Sequence, residues 1–162
     1  MGHHELDKLD ARILNLIAGN ARMPFLEVAR EVGVSGAAIH QRVQKLVNLG
    51  VVKGTEYVVD PEKIGYETCA FIGVFLNSPQ GFESIVEGLE KIPEVVECYY
   101  TTGKYDLLIK VFAKNNNDLL RIIQTELQPL GISRTETLMC FKNAFRKKLP
   151  ISFGDEKGKR KK

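Results

Sequence analysis

Apolar residues recur every three or four positions along the first fifty residues, which is the pattern of helices that each bury one face. The first segment stops at Gly19-Asn20, and the second begins near Pro24 and stops at Gly33. The third begins at Ser35, whose hydroxyl can accept a hydrogen bond from a backbone N–H, and stops at Gly50. The spacing predicts three helices, of which the last two are joined by a short glycine turn.

Two helices joined by such a turn are typical of the helix-turn-helix motif, whose second helix enters the major groove of DNA. The third segment has no acidic residue between Ser35 and Gly50. Small residues let its start approach the bases, Gln41 can hydrogen-bond a base, and Arg42 and Lys45 can bind guanine or phosphate. A three-helix packing unit with a solvated polar face is the alternative. The residues predicted to contact double-stranded DNA are Ser35, Ala37, Ala38, His40, Gln41, Arg42 and Lys45.

The pattern changes after Gly50. Short β-rich stretches at 51–53 and 56–60 form either a small wing or an arm that leads to the next domain. The turn-like residues 60–65 give the best domain boundary. The sequence thus predicts an N-terminal, winged helix-turn-helix domain over residues 1–60.

Strand-like and helix-like segments then follow in the order βαββαβ. This order predicts a ferredoxin-like sheet with both helices on one face, in a domain over residues 61–148, so the fold class is α+β. The predicted strands cover residues 69–76, 95–102, 107–112 and 135–145, and the helical spacing lies around 82–89 and 119–127.

The first and third of these strands are apolar at nearly every position. A sheet with helices on one face should alternate apolar and polar residues, so its other face needs a cover. A second copy of the chain supplies that cover, and we expect a homodimer. Two recognition helices can then meet successive major-groove turns roughly 34 Å apart.

The turn after the second strand carries hydroxyl groups and a carboxylate, on Thr101, Thr102, Tyr105 and Asp106. The carboxylate of Asp106 can bind an α-amino group. Alternatively, Asp106 only caps the turn and Tyr105 packs against a helix. The residues alone leave both readings open.

The formal net charge of +3 does not by itself indicate DNA binding, because residues 146–162 hold eight basic and two acidic residues. We expect residues 149–162 to form a basic, disordered tail that either attracts phosphates or has no role. The three cysteines have no metal-ligand spacing and lie in apolar runs, which predicts buried free thiols in a reducing cytoplasm. No membrane span, metal, cofactor or acid–base constellation is predicted.

Taken in order, the motifs of the chain resemble the Lrp/AsnC family of leucine-responsive, or feast/famine, transcription regulators. In the first domain the resemblance rests on Leu6-Asp7, Asp10, Ile13-Leu14, Ala21-Arg22, Glu27 to Ala29, Val34-Ser35, Arg42 to Leu46 and Gly50 to Val52. In the second it rests on Ile92 to Val95, Thr102 to Leu108 and Arg134 to Thr137.

The resemblance implies a DNA-binding regulator that is not an enzyme and whose DNA binding or assembly responds to a small effector, commonly an amino acid. It also implies homodimers that assemble further, often to octamers, with the effector between dimers. Carried over by position, the effector-binding residues are Tyr100, Thr102, Gly103, Tyr105, Asp106, Thr137, Leu138 and Met139.

Two other functions are compatible with the same domain organisation. Haem-pathway decarboxylases resemble this family, but the second domain has no histidine to bind a tetrapyrrole or donate a proton. A nucleoid-like DNA organiser differs from the regulator only in lacking an effector response.

Overall fold

The computed structural model describes residues 6–78 and 81–151, which divide into two compact units. The helical unit contains residues 6–57 together with 146–151, and the sheet unit contains the described residues of 58–145. The division falls at Tyr57, three residues before the boundary that the sequence suggests. The predicted α+β class is confirmed.

Three helices form the helical unit: α1 (Lys8–Gly19), α2 (Phe25–Val32) and α3 (Gly36–Asn48). Gly33 ends α2 in the left-handed conformation, with φ of 77°, and thereby makes the tight turn into α3. The helices pack on a shared core of Ile13, Val28, Ala29, Val32 and Ile39. The three predicted helices and their glycine turn are therefore present.

The start of the C-terminal segment packs on α1. Lys148 donates hydrogen bonds to the carbonyl oxygens of Ala18 and Gly19, and the side chain of Asn15 donates to the carbonyl of Ile151 over 2.9 Å. The last turn of α1 has no basic residue of its own, so Lys148 supplies the cation that the helix dipole favours there. Residues 146–151 are thus part of the helical unit, whereas 152–162 of the expected tail lie outside the described residues.

Residues 52–60 form neither helix nor strand. Of the two predicted alternatives, the wing is wrong for this chain. The side chains of Tyr57 and Val58 are largely exposed.

The sheet unit contains β1 (Thr68–Leu76), α4 (Phe82–Glu90), β2 (Val95–Tyr100), β3 (Leu107–Ala113), α5 and β4 (Ile132–Cys140). Helix α5 covers Asn116–Arg121 and continues as a π-helical turn over Ile122–Leu127 and a 3-10 turn over Gln128–Leu130. The antiparallel strands lie in the order β2-β3-β1-β4. The predicted βαββαβ order is present, but β4 begins and ends earlier than predicted.

Both helices pack on one face of this sheet. Side chains of alternate positions on β1 and β3, such as Ile72 and Ile109, form a core with Leu89 of α4 and Ile122 after α5. We call the opposite side the open face. It carries Cys69, Phe71, Gly73 and Phe75 of β1, Glu97 and Tyr99 of β2, Leu108, Lys110 and Phe112 of β3, and Arg134, Glu136, Leu138 and Cys140 of β4.

No helix among the residues that the structure describes is long and apolar enough to cross a bilayer.

Candidate functional site

The outer face of α3 carries exposed polar side chains along its whole length. Ile39 and Leu46 are fully buried, so the opposite side of the helix points to solvent. A shallow groove on this side is lined by His40, Gln41, Gln44, Lys45, Asn48 and Leu49. The sequence-based set omitted Gln44 and Asn48, which lie three and seven positions after Gln41 and therefore on the same face of the helix.

The start of α3 is fixed by its cap. The hydroxyl of Ser35 accepts a hydrogen bond from the backbone N–H of Ala38 over 3.2 Å. Ala37 is exposed and Ala38 half-buried, so the helix start presents little side-chain bulk. The ring of His40 packs edge-on against Phe25, with ring centres 4.7 Å apart. Ser35 and His40 therefore both have structural contacts within the helical unit.

Arg42 lies on the flank of α3 that faces α1. Its guanidinium donates to the carboxylate of Asp10 over 2.7 Å and also to that of Asp7. These acids form the capping box of α1, and the side chain of Asp10 is fully buried. The hydrogen bond from Arg42 holds the pKa of Asp7 below its usual value.

This contact gives Arg42 a structural role within the helical unit, beside the DNA contact that the sequence predicts for it. A guanidinium held by two carboxylates joins α3 to the start of α1, and a base or phosphate would have to compete for it. Arg42 is a positioning residue for the helix. The charge that α3 offers on its outer face is that of the exposed Lys45.

The turn between β2 and β3 is tied to the end of β1. The carboxylate of Asp106 accepts a hydrogen bond from the backbone N–H of Leu76 over 2.8 Å, and its own N–H donates to the carbonyl of Val74 over 3.0 Å. The hydroxyl of Thr101 donates to the carbonyl of Tyr105 and closes the turn. Asp106 therefore ties the turn to the end of β1 and remains exposed.

Tyr105 packs on the open face of the sheet rather than against a helix. Its ring lies over Gly73, where an added Cβ would come within 2.3 Å of a ring carbon. The ring also contacts Phe75 edge-on at 5.4 Å, and its hydroxyl donates to Glu136 over 3.1 Å. The alternative that placed Tyr105 against a helix is wrong.

Glu136 is the centre of a small charged group beside this ring. It pairs with Lys104 and, over 3.1 Å, with Arg134. The hydrogen bond from Lys104 lowers the pKa of Glu136, while Glu136 raises the pKa of Lys104. Arg134 also lies over the ring of Phe75 at 4.1 Å. Glu136 and Gly73 are absent from the sequence-based set of site residues, although a lone glycine in an apolar strand is a signal of close approach.

The remaining predicted effector residues do not form one pocket within the chain. Tyr100 lies on β2 and stacks on Phe82, while Thr137 and Met139 lie on β4 and point to the helix-covered face opposite Ile72 and Ala70. Leu138 points to the open face, and Thr102 and Gly103 lie in the exposed turn. Since β2 and β4 are opposite edges of a four-stranded sheet, three spacings of about 4.8 Å separate them.

The described part of the chain contains no group of three or more His, Cys, Asp or Glu side chains arranged to hold a metal ion.

Comparison with protein families gives two matches. The AsnC-type helix-turn-helix domain matches residues 6–47, and the Lrp/AsnC ligand binding domain matches residues 69–150. The regulatory protein AsnC of Haemophilus influenzae is 40% identical over 141 residues, which are 86% of this chain and 94% of that protein. The likeness therefore extends over both units.

Solved structures show a similarity that also extends over most of the chain. The structure of Escherichia coli AsnC is similar with a TM-score of 0.85 and 36% identity, over 91% of this chain and 99% of that one. A transcriptional regulator of Neisseria meningitidis in complex with L-Met has a TM-score of 0.82 and 25% identity, over 88% of this chain and 94% of that one.

Proposed function

Because the chain belongs to the Lrp/AsnC family of transcription regulators, we propose that it is a cytoplasmic, sequence-specific DNA-binding regulator whose DNA binding or assembly responds to an amino acid. In this proposal the helical unit binds DNA, and the sheet unit binds the effector and holds copies of the chain together. The basic residues after Ile151 add attraction to phosphates.

The outer face of α3 is the observation that carries the proposal. It combines a capped start with little side-chain bulk, amide side chains that can hydrogen-bond base edges, and one exposed ammonium group. No acidic side chain interrupts it between Ser35 and Gly50. Gln41, Gln44, Lys45 and Asn48 are the side chains that would face the bases and phosphates, with Ser35, Ala37, Ala38 and His40 at the entry of the helix.

The double variant Gln41→Ala/Lys45→Ala tests this assignment. Losing one base contact and one cationic contact costs about 2 kcal/mol per recognition helix, which is roughly a 30-fold loss of affinity. The probe is the set of genomic fragments that the wild-type protein captures, and the readout is the dissociation constant across a range of salt concentrations. The slope of log affinity against log salt should also become shallower, because fewer phosphate counterions are released.

Lys63→Ala is the matched control, since Lys63 is an exposed lysine of the sheet unit. It should bind the captured fragments as the wild type does. If the double variant binds as tightly as Lys63→Ala at every salt concentration, α3 is not the reading helix.

The open face of the sheet supports association with a second copy. Large apolar side chains there remain partly exposed in the single chain, among them Leu138 at 51% and Tyr99 at 49%. Lys110, near the rings of Phe71 and Phe112, covers this surface only in part. A second sheet packed on it gives a symmetric dimer, and further contacts between dimers give the larger assembly, for which an octamer is our expectation.

Asp106 is the residue that we expect to hold the effector's α-amino group. A carboxylate has several acceptor sites, so it can cap Leu76 and still accept from an ammonium group. The predicted residues on β2 and β4 lie at opposite sheet edges, which fits a site that is completed by a neighbouring copy. The L-Met bound to the similar Neisseria regulator supports an amino acid as the ligand class.

Replacing Asp106 by asparagine separates ligand binding from folding. Asparagine retains an oxygen that can accept from Leu76 but loses the negative charge, so the fold should persist. A charge-assisted hydrogen bond contributes about 1.5–3 kcal/mol, and its loss should weaken effector affinity at least tenfold. Thermal shifts of the wild-type and variant proteins with each standard amino acid give the measurement. If no amino acid shifts the wild type, or if Asp106→Asn responds like the wild type, the effector assignment fails.

A further inference from the structure

The helix that we propose as the DNA reader offers little positive charge to phosphates. It carries two basic side chains, Arg42 and Lys45, and the guanidinium of Arg42 is held by Asp7 and Asp10. Residues 1–57, which contain all three helices of the helical unit, have seven basic and six acidic residues. Since DNA-binding proteins gain affinity from several basic side chains on phosphates, the three helices alone are poor in the charge that binding needs.

The missing charge lies at the other end of the chain. Residues 146–162, which we call the basic segment, contain eight basic and two acidic residues. The described part of this segment, residues 146–151, belongs to the helical unit and not to the sheet unit that precedes it in the sequence. With the basic segment included, the formal charge of the helical unit rises from +1 to +7.

Two contacts hold the described part of the basic segment on α1. The ammonium group of Lys148 donates to the carbonyl oxygens of Ala18 and Gly19 at the end of the helix. The side chain of Asn15 donates to the carbonyl of Ile151 over 2.9 Å. Asn15 and Gly19 are four positions apart, so the segment lies along the last turn of α1.

The end of α1 is connected closely to the outer face of α3. A compact turn, in which the N–H of Met23 donates to the carbonyl of Asn20 over 3.0 Å, leads from Gly19 to the start of α2 at Phe25. The ring of Phe25 contacts His40, which lines the groove on the outer face of α3. In a helix-turn-helix the helix before the reader crosses the DNA backbone, so phosphates pass this part of the unit.

The basic residues beyond Ile151 can reach the same backbone. Lys157 is the first of them, six residues after Ile151, and six residues span at most about 20 Å. Lys162 lies eleven residues after Ile151, at most about 36 Å away. Both lengths exceed that of α1, which is about 18 Å for its 12 residues. From its position on α1, the segment can therefore extend past either end of that helix.

We propose that the basic segment binds phosphates of the DNA that α3 reads, and that its docking on α1 through Lys148 and Asn15 places it there. The inference rests on the proposed function and adds the far end of the chain to the DNA-binding surface. Phosphate contacts carry no sequence information, so the segment strengthens binding to every duplex while α3 selects among duplexes. Asn15 and Lys148 are positioning residues, because they act on the segment and not on DNA.

Replacing the five basic residues after Ile151 by glutamine tests the phosphate contacts (K157Q/K159Q/R160Q/K161Q/K162Q, the five-glutamine variant). The dissociation constant is measured across salt concentrations on a captured genomic fragment and on an unrelated duplex of equal length. Losing two phosphate contacts makes the slope of log affinity against log salt shallower by about 1.8 and weakens binding roughly 60-fold at 0.1 M salt. Both duplexes should be affected equally, so the ratio of their affinities should remain that of the wild type.

Asn15→Ala tests the docking on α1 without changing any charge. Asn15 is exposed and alanine favours a helix, so the fold should persist. Losing the hydrogen bond to Ile151 should weaken binding to both duplexes about fivefold, the factor typical of one hydrogen bond. Asn117→Ala is the matched control, since Asn117 is an exposed asparagine on α5 of the sheet unit, and it should bind as the wild type does.

Three results would overturn the proposal. Wild-type affinity of the five-glutamine variant for both duplexes would show that the segment does not contact DNA. A loss confined to the captured fragment would indicate sequence reading instead of phosphate contacts. Equal affinities of Asn15→Ala and Asn117→Ala would show that docking on α1 does not place the segment. The proposed function fails separately, when Gln41→Ala/Lys45→Ala keeps the wild-type preference for the captured fragment.

Discussion

Arg42→Ala should destabilise the helical unit by about 3 kcal/mol. The side chain of Asp10 is fully buried and accepts hydrogen bonds from the guanidinium of Arg42 and from the backbone N–H of Asp7. Without the guanidinium, a buried carboxylate loses its counter-charge, which is the costly way to break an ion pair. The more exposed contact with Asp7 adds little, because solvent screens it.

Urea unfolding of the full chain, followed by circular dichroism, measures this effect. Lys45→Ala is the control: its side chain is exposed on the same helix, and its loss should change stability by no more than about 0.5 kcal/mol. A double-mutant cycle adds Asp10→Ala and the double variant Asp10→Ala/Arg42→Ala. The loss in free energy of unfolding in the double variant should be smaller than the sum of the losses in the two single variants. Equal stabilities of Arg42→Ala and Lys45→Ala would show that the ion pair does not hold the unit together.

A loss of DNA binding in Arg42→Ala reports the position of α3 as well as any contact with DNA.

The pKa of Asp7 is lowered by Arg42. The stability that this carboxylate contributes is therefore complete at neutral pH and is lost as the pH falls through the lowered pKa.

Gly73→Val should destabilise the sheet unit by about 2 kcal/mol, the cost typical of an overpacked site. A Cβ at this position lies 2.3 Å from the ring of Tyr105, so the ring must leave the open face. β-Propensity alone predicts the opposite sign, because valine favours a strand and glycine weakens one. The displaced ring also releases Glu136 and moves the turn that holds Asp106, so the effector response should weaken too.

The same substitution in a Tyr105→Ala background separates the two effects. With the ring removed, valine has room, and Gly73→Val should then be neutral or stabilising when measured by urea unfolding. Tyr105→Phe retains the ring and loses only the hydrogen bond to Glu136, so its stability should lie near that of the wild type. If Gly73→Val stabilises the otherwise unchanged chain, the close approach of Tyr105 is wrong.

The features that the sequence predicts well are those whose cause is local. Gly33 and Ser35 end and begin neighbouring helices through contacts within a few residues, and the turn between them is present as predicted. The continuous apolar runs of β1 and β3 likewise identify these two strands. Family membership confirms the predicted regulator class and the prediction that the chain is not an enzyme.

The features that the sequence predicts poorly depend on contacts between residues that are far apart along the chain. Nothing near Arg42 indicates that Asp10 will meet it once α1 packs beside α3. The residues after Cys140 read as strand, but the β1–β4 ladder ends at the Cys69–Cys140 pair, one residue from the start of β1 at Thr68. The free, half-buried thiols of Cys69 and Cys140 meet for the same reason, since only the β1–β4 register brings them together.

A hydroxyl-radical footprint on a captured genomic fragment tests the central claim most directly, that two copies of α3 read one DNA. The wild-type chain should protect the backbone sugars that flank successive major-groove turns on one side of the duplex, about 34 Å apart. Gln41→Ala/Lys45→Ala should lose these protections at a concentration at which Lys63→Ala retains them. A single isolated protection, or a repeat that the double variant leaves unchanged, would contradict the account.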